Sequence, residues 1–241
     1  MSGDGRRHAN VWNGVATVRP GLLVYTGTVG TATLHAHHSV QVFVARHDEI
    51  ILGDAAGERL GCQAAVIPPG VPHEVVGGVD EALMVHLDPE SAQGRELSQL
   101  PDPDDAVAGW GQAGGLLGSA EEIIDALPTA REIEVRHPAV RRTLRTLPEL
   151  LDGPPIRLGE LARAVNLSES RLAHLFSEEV GLPLRPYVQW LRLQRAAELV
   201  AAGASVTEAA HGAGFADGAH LSRICRRMFG IAPSEFVRAT G

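Results

Sequence analysis

Two groups of side chains in this 241-residue sequence have types and spacings suited to chemistry. The first is built on histidine. His35 and His37 stand two apart in LHAHHSVQ (34–41), Gln41 ends the same stretch, and His73 lies in PPGVPHE (68–74). Residues two apart on a strand point to one face, and three neutral imidazoles suffice as a ligand set for Zn or Fe(II). The second group is cationic. Arg223, Arg226 and Arg227 fall within five residues, behind the glycine-rich turn GAGFADG (212–218). Such a cluster suits an anionic partner, a phosphate backbone above all. No pair of carboxylates or hydroxyls stands at a catalytic spacing, so an enzyme is not expected.

The elements around the histidines read as β-structure. LLVYTGTV (22–29), SVQVFVAR (39–46), EIILGD (49–54), CQAAVIPP (62–69) and EALMVHLD (81–88) are short apolar runs bounded by Gly, Pro, Asp or His. Val40, Val42 and Val44 alternate with Gln41, Phe43 and Ala45. Short strands at this spacing predict an all-β sandwich or barrel over residues 1–88. His47 and His86 are assigned to the surface or to packing. Residues 89–137 read as a linker with short helices, which couple the halves or pair two copies as a homodimer. Within it PDPDDAVAGWGQAGG (101–115) is turn-rich and reads as a surface loop or linker. SAEEIIDAL (119–127) carries a capping box.

From about residue 138 the period is helical. A helix is predicted from Pro138 to about Leu151, closed by DGPP (152–155). The remainder repeats: ELARAVNLS (160–168) aligns with EAAHGAGFA (208–216) at an offset of 48, and beyond the turn the offset is 49. Each unit is a short helix, a turn and a second helix ending at glycine, the pattern of a helix-turn-helix. In the second unit Leu221, Ile224, Cys225 and Met228 share one face, opposite Ala219, His220, Arg223, Arg226 and Arg227. In the first, Leu172, Leu175 and Phe176 face in, while Ser170, Arg171, His174 and Ser177 face out. Two exposed polar helices at matching positions are better explained by a DNA site than by solvation alone. Small residues admit close approach to bases, and Arg reads guanine or neutralises phosphate. LRPYVQWLRLQRAAELVAA (184–202) reads as one helix joining the units, stopped at Gly203.

Charge divides along the same line. The formal net charge is -8, with no Lys; residues 1–153 hold 11 Arg against 21 acidic residues, and residues 154–241 hold 10 against 8. The C-terminal part is therefore the better partner for an anion. With 44% apolar and 21% charged residues the composition is that of a globular protein. No apolar run reaches the ~18 residues of a spanning helix, and no apolar segment follows the charged N-terminus as in a signal peptide. No membrane association is expected, and the cytoplasm is the default location. Cys62 and Cys225 are read as free thiols.

LARAVNLSESRLAHLF, GLPLRPYVQWLRLQRAAEL, GFADGAHLSRICRRMFG and APSEF, in this order over about 100 residues, resemble the tandem helix-turn-helix domain of AraC/XylS-type transcriptional regulators. The linking-helix pattern R-L-x-x-A-x-x-L is met by Arg192, Leu193, Ala196 and Leu199, and the Gly-Phe turn by Gly214 and Phe215. The resemblance covers residues 138–241. It implies two recognition helices in successive major grooves of double-stranded DNA, with base-reading positions around Ser170, Ala173 and His174 and around Gly218, Ala219, Ser222 and Arg223. Glu178 and Glu179, at the end of the first recognition helix, are a departure from a basic DNA-binding surface.

The histidine segments resemble the cupin pattern H-x-H-x(3)-E with P-x-G-x(2)-H, except that Gln41 stands in place of Glu. The resemblance implies an N-terminal cupin-like β-barrel sensor. In it His35, His37, Gln41 and His73 bind a small-molecule effector, hold a divalent metal (Zn, Fe or Ni), or serve as strand scaffold. The combined expectation is a one-chain transcription regulator. Its rival is a metal-dependent cupin enzyme with a helical appendage, which leaves the duplicated helical unit unexplained.

Overall fold

Period-two patterning builds two antiparallel sheets. One has the order β1 (Asn13–Arg19), β2 (Leu22–Val29), β9 (Val79–Leu87), β4 (Val40–Ala45), β7 (Ala64–Ile67). The other runs β3 (Ala32–His35), β8 (His73–Gly77), β5 (Ile50–Asp54), β6 (Arg59–Cys62). The computed structural model describes residues 12–102, 106–118, 122–123, 135–151, 156–231 and 233. Among them the strands form two sheets, not one closed barrel, because no ladder joins the sheets at either edge. The all-β architecture is as expected, and of the sandwich and the barrel the two separate sheets correspond to the sandwich.

Every residue of β4 is buried, which explains its apolar character on both faces. Val40, Val42 and Val44 pack on the outer side of the first sheet with Val66, Leu83 and Val85. Phe43 and Ala45 turn inward to Tyr25, Ile50, Leu52 and Met84. α2 (Ala106–Gly115), which follows α1 (Ala92–Leu97), packs on β7 and reaches β6 of the other sheet; its Ala113 joins the outer cluster, while Val107 and Trp110 join the inner one. Residues 106–115 were expected to form a surface loop, and they are helical with Val107, Trp110 and Ala113 buried. Their glycines permit close contact with β7. A Cβ on Gly114 would lie 2.2 Å from the Ala64 backbone. The predicted helix at 119–127 falls outside the described residues except for 122 and 123.

The helical part opens with α3 (Pro138–Thr146), shorter than predicted; Pro148 lacks an N–H to continue the ladder and starts a 3-10 turn, Pro148–Leu150. The first unit is α4 (Leu158–Ala164) and α5 (Glu169–Val180). The linking helix is α6 (Leu184–Ala201), and the second unit is α7 (Val206–Gly212) and α8 (Gly218–Phe229). The repeat holds bond by bond. Leu167 N–H donates to Ala162 C=O as Phe215 N–H does to Ala210 C=O, both at 2.9 Å. Asn166 takes the left-handed position in one turn (φ 57°) and Gly214 in the other (φ 75°). Ser168 caps α5 and Asp217 caps α8; the second turn holds one more residue before its cap, which accounts for the change in offset. At the end of α6, Gly203 N–H bonds Val200 C=O and Ala204 N–H bonds Leu199 C=O, a Schellman closure.

Two apolar clusters organise the helices. Val140, Leu161, Leu172, Phe176 and Leu184 close the first unit around α3. The second unit has no separate core: Trp190, Leu193, Phe215, Leu221 and Phe229 join Leu23, Tyr25 and Phe43 in one continuous cluster. Among the described residues no helix is long and apolar enough to cross a membrane.

Candidate functional site

The pairing of the strands assembles the histidines between the two sheets. His35 and His73 are cross-strand partners on β3 and β8; Gln41 and His86 are partners on β4 and β9. His37 was expected beside His35 on one strand. It lies beyond the end of β3, in the segment that crosses from one sheet to the other. The crossing still brings the rings together: centroids are 4.4 Å apart for His35 and His73, 4.8 Å for His37 and His73, and 4.9 Å for His37 and His86. His86, assigned from sequence to the surface or to packing, is fully buried inside this cluster. On β9 it shares the inner face with Met84, and the β4–β9 register sets it beside Gln41. His47 lies on the surface near Glu81.

Backbone carbonyls hold three of the rings through Nδ1. His35 Nδ1 bonds Thr33 C=O at 2.8 Å, His37 Nδ1 lies 3.0 Å from Ser39 C=O, and His73 Nδ1 bonds Val71 C=O at 2.9 Å. One ring nitrogen from each of His35, His37 and His73 lies within 4.8 Å of the others. His73 Nε2 is buried with no hydrogen-bond partner. Such a group is costly to leave bare, and a ring fixed through Nδ1–H with its Nε2 lone pair free is the usual preparation of a metal-binding histidine. The residues thus fit a divalent metal of the Zn, Fe(II) or Ni type; at about 2.1 Å per bond the nitrogens would sit about 3.4 Å apart, so the widest pair would close by up to about 1.4 Å. Burial, and then the neighbouring rings His37 and His35, push the His73 pKa down to about 3. Burial also lowers His37, and it lowers His86 strongly, so all three favour the neutral form that ligates metal.

Helix α8 reaches this cluster. Its last turn, closed by Gly230 in the left-handed conformation (φ 77°), lies directly over the rings. His38 N–H donates to Arg227 C=O at 2.7 Å, the Ser39 hydroxyl donates to Met228 C=O, and Phe229 packs edge-on to His86 at 5.4 Å. A Cβ on Gly230 would fall 2.3 Å from His35 Cδ2 and 2.7 Å from its Nε2. Beside this seam is an apolar cavity of about 280 Å³, lined by Val15, Ala16, Leu193, Ala197, Cys225 and Phe229 among others. No sequence signal pointed to this docking, because its partners lie up to 189 residues apart.

On the helices themselves, Ser170, Arg171 and His174 are exposed on α5 and Ala173 is half-buried. On α8 Ala219, Arg223 and Arg226 are exposed and Gly218 is half-buried. Ser222 donates to Gly218 C=O at 2.8 Å. His220 turns back onto the Gly-Phe turn, edge-on to Phe215 at 5.4 Å. Arg227 is exposed and lines a cleft of about 360 Å³ with His38, Asp88, Glu90 and Arg185. Glu179 accepts from His137 N–H at 2.9 and 3.0 Å, so it anchors α3. Glu178 lies 3.8 Å from His174.

The profile of a family described as "Helix-turn-helix domain" matches residues 161–239. Residues 161–239 are a helix-turn-helix domain. The chain is 29% identical over 85 residues to the Msm operon regulatory protein of Streptococcus mutans, covering 35% of this chain and 31% of that protein. It is also 29% identical over 83 residues to the HTH-type transcriptional regulator YpdC of Escherichia coli, covering 34% and 29%. The chain thus spans about a third of the length of the curated relatives it matches. Among solved structures, fatty-acid-bound ToxT from Vibrio cholerae aligns over 94% of this chain and 98% of its own, at 10% identity and a TM-score of 0.43.

Proposed function

We propose that the chain is a DNA-binding transcription regulator whose β part senses a small molecule or metal ion. The observation that carries the reading is the duplicated unit. Two recognition helices, each presenting exposed polar side chains, are fixed at either end of an 18-residue helix about 27 Å long. That length approaches the ~34 Å of one DNA turn. Ser170, Arg171, Ala173 and His174 on the first unit, with Gly218, Ala219, Ser222, Arg223 and Arg226 on the second, form the proposed contact surface. His220 supports the turn behind it, and Arg227 serves the seam or a flanking phosphate. Residues 1–88 act as the sensor, 89–137 as the connector and 138–241 as the DNA reader. His35, His37, Gln41 and His73 are the proposed effector or metal ligands. An enzymatic role has no comparable support, since the duplicated unit would be idle in it.

Selection from random DNA tests this reading. The preferred site should contain two short elements about 10 bp apart centre to centre, and inserting about 5 bp should reduce binding to that of one element. A chain that enriches no sequence, or that binds the half-turn insert equally well, lacks the proposed activity.

A further inference from the structure

The linking helix carries polar side chains that the proposed DNA surface does not use. Arg185, Gln189 and Arg192 stand at i, i+4 and i+7 of α6, so they share one stripe of that helix. The stripe borders a cleft of about 500 Å³ between the two helix-turn-helix units. Leu158 enters the cleft from the first unit, Leu184 and Val188 from α6, and Phe215, His220 and Ile224 from the second unit.

The polar lining of this cleft is rich in donors. Ala216 N–H donates to His220 Nδ1 at 3.4 Å, so the proton of that ring is on Nε2. Arg192 Nε is buried and has no hydrogen-bond partner among the described residues. It lies beside the Gly-Phe turn, where a Cβ on Gly214 would come within 3.2 Å of it. Burial pulls the Arg192 pKa below its ordinary value, and a buried charged donor left bare is costly. Yet no acidic side chain lines the cleft. The cleft at the seam differs, since there Asp88 and Glu90 stand with Arg185 and Arg227.

The missing partner is therefore an acceptor, and the walls select what carries it. A phosphate of the DNA backbone gains nothing from hydrocarbon, and Arg192 Nε lies beneath the surface that a backbone would touch. A carboxylate matches the planar fork of a guanidinium. An apolar body attached to it would remove Leu158, Val188, Phe215 and Ile224 from water. The volume is in the range of small-molecule sites.

We propose that the cleft between the two units is a binding site for a small organic carboxylate, held by Arg192 at its anionic end and by apolar walls from both units along its body. The site lies in the helical part, apart from the histidine cluster, and does not depend on what the β part senses. Its occupant touches both units and the linking helix, so it stabilises their mutual placement.

The test uses the full-length protein and 2-naphthoate as the probe, titrated by calorimetry, with 2-naphthylmethanol as its uncharged match. One naphthoate should bind per chain, and the alcohol should bind about tenfold more weakly or less. Arg192→Gln should weaken naphthoate binding by about tenfold or more. Gln189→Glu, at a half-buried position outside the core, adds a negative charge to the cleft and should weaken it to a similar degree. The backbone amide resonances of Phe215 and Ile224 should shift at saturation. No uptake of naphthoate, equal affinity for acid and alcohol, or unchanged affinity in either variant overturns the proposal. Displacement of naphthoate by an equal concentration of inorganic phosphate overturns it too, and makes the cleft a contact for the DNA backbone.

Discussion

Trp190 Nε1–H donates to Asp88 Oδ2 at 2.7 Å, joining the middle of the linking helix to the end of the last strand across 102 residues of chain. Both side chains are buried, and the other Asp88 oxygen accepts from Glu90 N–H. The contact fixes the linking helix against the β part at a point outside the histidine cluster.

Asp88→Ala should therefore cost about 1–3 kcal/mol, because it leaves the indole N–H buried without a partner. Urea denaturation measures the loss. Adding Trp190→Phe should then cost less than it does in the parent, and equal costs in both backgrounds would show that the pair is not coupled.

Acid should unfold the β part from the histidine cluster. The folded-state pKa of His73 is depressed, from an ordinary 6.5 to about 3, by burial and the neighbouring rings, and those of His37 and His86 are also depressed. Above pH 6.5 neither state binds protons there, and stability is complete. As pH falls below 6.5 the unfolded chain takes up protons that the folded chain refuses, and for His73 the loss continues to about pH 3. Each such histidine adds a slope approaching ~1.4 kcal/mol per pH unit. Denaturation midpoints that stay level between pH 7 and pH 5 would contradict this.

Arg223→Ala should weaken binding to the selected DNA by about 1–3 kcal/mol and relax preference at one base pair. Fluorescence anisotropy against matched and mismatched sites distinguishes this from a phosphate contact, which would weaken all sequences alike and flatten the salt dependence.

The two acidic residues at the end of α5 should behave differently. Glu178→Gln removes an exposed negative charge and should raise nonspecific DNA affinity at low salt. Glu179→Gln removes the charged acceptor of His137 N–H and should cost about 1–2 kcal/mol of stability, read as a lower thermal midpoint.

Much of the helical part was legible because its signals are local. Ser168, Asp217, the Ser205–Glu208 capping box and the glycines at 181, 203 and 230 each mark a boundary within a few residues of the bond they make. The strands at 22–29, 40–45, 50–54 and 79–87 were legible from apolar runs. Half-exposed β1 (Asn13–Arg19) and β6 carry little apolar pattern and were passed over, and β3 was read only through its histidines. The Gly-rich α2 was misread because its glycines serve contact with β7, and tertiary packing overrides their poor helix propensity. His86 and the docked turn of α8 depend on strand register and on contacts far apart in sequence, which no local pattern encodes.

The seam also has a consequence for synthesis. His38 meets Arg227 across 189 residues, so the contact cannot form until nearly the whole chain has been made. At 5–20 residues per second a ribosome needs roughly 10–40 s to span that interval. Throughout it Leu23, Val18 and their neighbours on the first sheet lack the helices that cover them in the finished molecule. The nascent β part is then a client for whatever binds exposed apolar strands in the cell, and a chain interrupted before α8 keeps that surface permanently.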